Sequence, residues 1–77
     1  MRPRSDTVQA LQRGIRILDV LADQGSLPLA QVARLVDLNL STAHHLMKTL
    51  EGLGYVAHGR DRMWQLCGRV FELAAAA

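Results

Sequence analysis

Cysteine is nearly absent from this sequence, and aromatic residues, prolines and long apolar runs are scarce or missing. Cys67 is the one cysteine, so no internal disulfide is available and nothing points to secretion. No apolar stretch approaches the roughly 20 residues that a membrane-crossing helix needs. Arg2 and Arg4 are followed by an amphipathic segment, where a signal peptide would carry a continuous apolar run. The expected compartment is the cytoplasm, with no membrane partner. Tyr55, Trp64 and Phe71 are the only aromatics, which leaves an aliphatic and chiefly helical core. A strong excess of one charge is also missing. Nine Lys and Arg against seven Asp and Glu give a net charge of +2, which permits a polyanionic partner without demanding one. What remains is a 77-residue chain with 49% hydrophobic and 21% charged residues, enough for one domain around one core and too apolar for a disordered segment.

The first long periodic segment runs from Val8 to Ala22, with Ser5, Asp6 and Thr7 as capping candidates before it and Gly25 as a stop after it. At 100° per residue, Val8, Leu11, Ile15, Leu18 and Ala22 form one apolar stripe, and Ala10, Gly14, Ile17 and Leu21 form a second beside it. A helix that packs once onto a small domain needs roughly 100° of apolar face, and this one has about half its circumference. The second stripe therefore either faces a partner subunit, making Ala10, Gly14, Ile17 and Leu21 the candidate dimer interface, or lies in the domain's own core. Gly14 fits the first alternative, because a helix-interior glycine costs about 1 kcal/mol relative to alanine yet admits another backbone.

A short helix follows, with Pro28 near its first turn and Leu29, Val32, Ala33 and Val36 on one face. Asp37, Leu38 and Asn39 interrupt it, and a further helix over about 40–53 places Ala43, Leu46, Met47 and Leu50 together, with Asn39 as its N-cap. Two helices joined by so few residues cross steeply, which is the helix-turn-helix. Asp37 stands where such turns usually place a glycine of positive φ, a conformation Asp tolerates better than most residues. The outward face of the second helix carries Ser41, His45 and Lys48, flanked by Thr42 and His44 and preceded by Leu40, and no acidic residue occurs from Leu40 to Leu50. Small and hydrogen-bonding side chains with one fixed positive charge suit approach to a DNA groove. Ser41 and Thr42 are expected to leave the helix N-terminus free to donate to a phosphate.

Beyond Gly54 the period changes to alternation. Tyr55–His58 and Met63–Leu66 read as two strands joined by the loop Gly59-Arg60-Asp61-Arg62, a hairpin that directs Trp64 and Leu66 inward and carries Arg60 and Arg62 at its tip. Arginines there can reach phosphate or the minor groove, although a polar turn needs no function to contain them. The segment from Gly68 to Ala77 is again helical in pattern and reads as a connector. The expected architecture is mainly α with a small β-hairpin: a winged helix-turn-helix of three core helices plus wing, with the start of a C-terminal linker helix. Residues 1–7 form an N-terminal arm, 8–66 the DNA-binding domain and 67–77 the linker helix.

Other chemistries fit poorly. His44, His45, His58 and Cys67 lack any metal-binding spacing, and neighbouring helical residues point about 100° apart. No glycine-rich oxyanion loop or pocket-forming length supports a nucleophilic Cys67, so neither an enzyme, a metal nor a cofactor is expected. The stronger rival is a winged helix used as a protein-interaction module, since fold does not dictate use. Such a module would present an apolar patch on the outward face of the second helix, where Leu40 alone qualifies.

Four stretches, in order and at matching intervals, carry a family resemblance: Val8-Gln9-Ala10-Leu11-Gln12-Arg13-Gly14-Ile15-Arg16-Ile17-Leu18, Leu29-Ala30-Gln31-Val32-Ala33, Ser41-Thr42-Ala43-His44-His45-Leu46 and Leu50-Glu51-Gly52-Leu53-Gly54-Tyr55-Val56. Together they resemble the N-terminal DNA-binding domain of IclR-type bacterial transcription regulators. The resemblance implies a homodimeric repressor or activator with Ser41, Thr42, His44 and His45 on the recognition helix, and dimerisation partly through the first helix. It also implies a linker leading to a ligand-sensing domain, not present in this chain, through which a small-molecule effector would act. Leu40 and His45 stand where that family commonly has basic residues, and Cys67-Gly68 where it has Leu-Gly. The expected partner is double-stranded operator DNA in an inverted repeat.

Overall fold

Four helices and a three-stranded sheet are formed along residues 8–77, which the computed structural model describes. Helix α1 spans Gln9–Gln24, strand β1 Leu27–Pro28, α2 Leu29–Leu35, α3 Leu40–Gly52, β2 Val56–His58, β3 Met63–Leu66 and α4 Gly68–Ala76. The expected caps Ser5, Asp6 and Thr7, and the arm over 1–7, lie outside the described residues. Val8 occupies the N-cap of α1 without a side-chain bond, and Gly25 ends that helix at φ +82° with its N–H bonded to the Leu21 carbonyl.

The two helices of the helix-turn-helix end in the same way. After α2, Asp37 takes φ +58°, its N–H bonds the Arg34 carbonyl at 3.2 Å, and the Leu38 N–H reaches back to the Ala33 carbonyl at 2.9 Å. After α3, Gly54 takes φ +89°, with Gly54 N–H to Glu51 and Tyr55 N–H to Leu50 at 3.0 and 2.9 Å. Both are Schellman ends, which satisfy the last helical carbonyls by turning one residue left-handed. At the start of α3 the Asn39 side chain accepts the Thr42 N–H at 2.8 Å, the N-cap that its position predicts.

Sheet order is β1-β3-β2, antiparallel throughout, with Val56 opposite Leu66 and His58 opposite Trp64 across the hairpin. The third strand is the departure from the expected two-stranded wing. Leu27 pairs with Trp64 and Pro28 with Met63, so the residues just before α2 form a sheet edge, where the missing proline N–H is harmless. Two residues carry no alternation that a sequence pattern can register.

The core joins every layer. Ile17 and Leu21 of α1, Val32 and Val36 of the α2 end, Met47 of α3, Val56 of β2 and Trp64 of β3 form one buried cluster, surrounded by Leu18, Leu27, Leu46, Leu50 and Leu66. Ile17, Val32, Met47 and Val56 are essentially inaccessible, each contributing about 1.5–3 kcal/mol of apolar burial. Ala43 and Ala33, also buried, keep the α2–α3 crossing close.

This core corrects the interface expected on α1 at Ile17 and Leu21. Gly14, Ile17 and Leu21 are buried within the domain itself, and of that stripe only Ala10 is exposed. Helices α2 and α3 and strand β3 pack against this side of α1, so Ile17 and Leu21 are consumed inside the domain, while Ala10 and Gly14 line a surface groove. The stripe left outside is the other one, with Val8, Leu11 and Ile15 at 64%, 65% and 50% exposure.

Candidate nucleic-acid interface

Helix α3 is held by its inner face and shows its outer face to solvent. Ala43 and Met47 are buried and Leu46 and Leu50 half-buried, while Ser41, His44, His45 and Lys48 are exposed along the opposite side. Their helical spacing brings them onto one face. The His44 and His45 ring centroids lie 6.3 Å apart. Leu40 sits at the N-terminal end of this face and is 55% exposed. Thr42 is half-buried on the flank, and its backbone N–H is already taken by Asn39. Of the N–H groups that this terminus was expected to offer a phosphate, the Asn39 cap thus takes that of Thr42.

The loop between β2 and β3 is built by its own short bonds. Arg62 adopts φ +62°, its N–H meets the Gly59 carbonyl at 3.0 Å, and the Asp61 carboxylate accepts the Met63 N–H at 3.0 Å. Asp61 is therefore occupied in shaping the loop, and the exposed Arg60 and Arg62 flank it with no ion pair to it among the described residues. Trp64 is buried and Leu66 half-buried, which anchors the hairpin to the helices as the alternation predicts.

A contact between helix and hairpin was not read from the sequence. Glu51, near the C-terminal end of α3, accepts the Lys48 ammonium on Oε1 at 2.8 Å and the His58 Nδ1 on Oε2 at 3.0 Å. An ionised carboxylate only accepts, so Nδ1 carries the proton in this contact. The His58 ring in turn lies against Trp64, with centroids 4.3 Å apart. The Lys48 hydrogen bond chiefly holds the Glu51 carboxyl below its ordinary range, against the opposing effect of partial desolvation. The Lys48-x-x-Glu51 spacing was a legible signal for the first bond. The His58 bond required knowing how the hairpin folds back. Cys67 donates its thiol to the Gly54 carbonyl at 3.3 Å, apart from His44 and His45.

The arrangement is that of a winged helix-turn-helix: a capped second helix with a polar outer face, and an antiparallel hairpin bolted to its end. The chain belongs to the IclR helix-turn-helix domain family, whose pattern matches residues 10–60. It is 30% identical over 76 residues to the transcriptional repressor IclR of Escherichia coli, covering 96% of this chain and 28% of that protein. An HTH-type transcriptional regulator of Haemophilus influenzae is 51% identical over 49 residues, 62% of this chain and 18% of the relative. Among solved structures, the Agrobacterium tumefaciens repressor BlcR superimposes with a TM-score of 0.83 at 33% identity, over 92% of this chain and 29% of that one. The chain thus spans less than a third of the length of these regulators. No helix among the described residues is long and apolar enough to cross a membrane.

Proposed function

We propose that this chain binds double-stranded DNA as the operator-reading domain of a bacterial transcription regulator, with residues 8–66 as the binding unit. The observation that carries the reading is the outer face of α3, where Ser41, His44, His45 and Lys48 are exposed together, with the hairpin that carries Arg60 and Arg62 joined to the end of the helix through Glu51 and His58. In the major groove, hydroxyl and imidazole groups read base edges, and Lys48 and the loop arginines meet phosphates. Leu40, at the leading end, supplies apolar contact to a thymine methyl, and Thr42 borders the groove.

Replacing His45 with Ala is expected to change which sequences are preferred, whereas replacing Lys48 with Ala weakens binding to all sequences alike. Selection of bound fragments from random duplexes, repeated for each variant, separates the two effects. An unchanged ranking for His45→Ala would remove that residue from base reading. The whole reading is tested by titrating the chain against mixed genomic DNA at two salt concentrations. Affinity should fall steeply with salt; a flat, weak response would favour a protein-interaction module instead.

The reading extends to a homodimer on an inverted repeat, with residues 67–77 as a linker toward an effector-sensing domain and with the cytoplasm as its site of action. Support for the dimer now comes from the stripe that α1 leaves outside. Leu11 and Ile15, with Leu46, Leu50 and Leu53 of the α3 end, line an apolar groove of about 320 Å³ over Gly14. A methyl group at Gly14 would meet nothing within 4 Å, so this groove has room for side chains of a second α1.

A further inference from the structure

A surface ion pair three residues apart on a helix is ordinarily worth little, because both side chains are free to leave it. Glu51 is not free in that sense. Its second oxygen is held by His58 at 3.0 Å, and His58 is backed by Trp64 at a 4.3 Å ring separation. Trp64 is itself 5% exposed and part of the core. The carboxylate is therefore anchored on the hairpin side, while its first oxygen holds the ammonium of Lys48 at 2.8 Å. Lys48 lies on the α3 face assigned above to DNA, and no other acidic side chain belongs to that face between Leu40 and Leu50.

We propose that Glu51 sets the specificity of the DNA surface: anchored through His58 to the wing, it holds Lys48 and reduces, without abolishing, the part that charge plays in sequence-independent phosphate binding. The proposal rests on the DNA-binding reading above. Its physical basis is competition for one cation. A lysine paired with a fixed carboxylate gains less from a phosphate of a random duplex, because each approach competes with Glu51. Contacts made by Ser41, His44 and His45 to base edges do not pass through Glu51, so they are unaffected. The carboxylate thus lowers affinity for any DNA more than it lowers the advantage of the right DNA. Glu51 acts here through Lys48 and is a positioning residue, one that touches no base or phosphate itself.

The test uses the 77-residue chain and a labelled random-sequence duplex, with binding followed by fluorescence anisotropy across a salt series. Glu51→Gln keeps the side-chain shape and removes the charge. It is expected to tighten binding about two- to fivefold at low salt, the range of an exposed ion pair, and to steepen the log–log salt slope by a fraction of the roughly 0.9 that one full phosphate contact adds. In a Lys48→Gln background the same change should leave the slope unaltered, since the effect runs through Lys48. Glu72→Gln removes an equal charge from a comparable pair with Arg69 on α4 and should leave the slope at the wild-type value.

Weaker binding by Glu51→Gln would overturn the proposal and show instead that the carboxylate presents Lys48 to phosphate. An unchanged slope would overturn it too, as would the same slope increase with Lys48 absent, which would mark simple loss of a repelling charge. A wild-type chain whose binding does not respond to salt would bring down the DNA reading itself, and the proposal with it.

Discussion

Asp37 holds a left-handed backbone angle, φ +58°, in the place where the matching end of α3 uses Gly54. The two turns share their bonding pattern, so the comparison isolates the side chain. A non-glycine residue in this region carries a conformational cost that Asp bears better than most. Asp37→Gly is expected to raise stability by about 0.5–1 kcal/mol after the larger entropy of the glycine in the unfolded chain is counted. The measurement is the urea midpoint; an unchanged or lower midpoint would mean that the Asp37 carboxylate has a stabilising role of its own. Glu51 makes a second prediction, in pH. Its carboxyl is held below its ordinary 4.5 by the Lys48 hydrogen bond first of all. A depressed folded value means the ionised form favours the folded state. Its contribution is complete above the ordinary value and is lost as pH falls through the lower folded one. The stability difference between wild type and Glu51→Gln should accordingly be constant near neutrality and shrink below about pH 4.5, as read from unfolding curves at several pH values. A difference that grows on acidification would contradict this sign.

At the level of elements, α3 depends on its cap. Asn39→Ala removes the bond to the Thr42 N–H at 2.8 Å and is expected to cost about 1 kcal/mol. Thermal unfolding followed by circular dichroism checks it, and no loss would mean that the helix start is fixed by packing alone. The helices were legible because each announces itself locally: Gly25 and Asn39 mark ends, and Ala43, Leu46, Met47 and Leu50 repeat at helical spacing. The hairpin was legible from the change of period at Gly54 and from the loop around Asp61. β1 was not, because Leu27 and Pro28 become a strand only through Trp64 and Met63 far along the chain. For the same reason Glu51 and His58 did not stand out, since their meeting depends on tertiary folding. The α1 stripes were recognised as two, but periodicity assigns no inside or outside. That choice went to Ile17 and Leu21 because the sheet covers their side.

For the molecule as a whole, the radius of gyration of 12.9 Å exceeds the roughly 11.5 Å of a compact chain this long. Helix α4 has no buried residue. Its first turn is nonetheless tied down: the Cys67 N–H bonds the Tyr55 carbonyl and the Arg69 N–H the Gly54 carbonyl, both at 3.0 Å. Another exposed apolar feature is the Leu11–Ile15 stripe of α1. If two copies meet there, Ile15→Glu should leave the fold intact and shift sedimentation to the monomer at every concentration. A wild-type chain that is already monomeric at high concentration would remove that interface.

The pairing of Leu27 with Trp64 has one more consequence. Together with the Ser26 hydroxyl bond to Gln65, between residues 39 positions apart, it ties the chain into a closed loop whose entire contents are α2, α3 and the hairpin. Such a loop bears its closure entropy before its contents gain from packing. Local fraying of the ends therefore leaves the loop intact, whereas opening this pairing exposes its contents together. Amide hydrogens of α2 and α3 should then exchange in one cooperative step, as a single unit of unfolding.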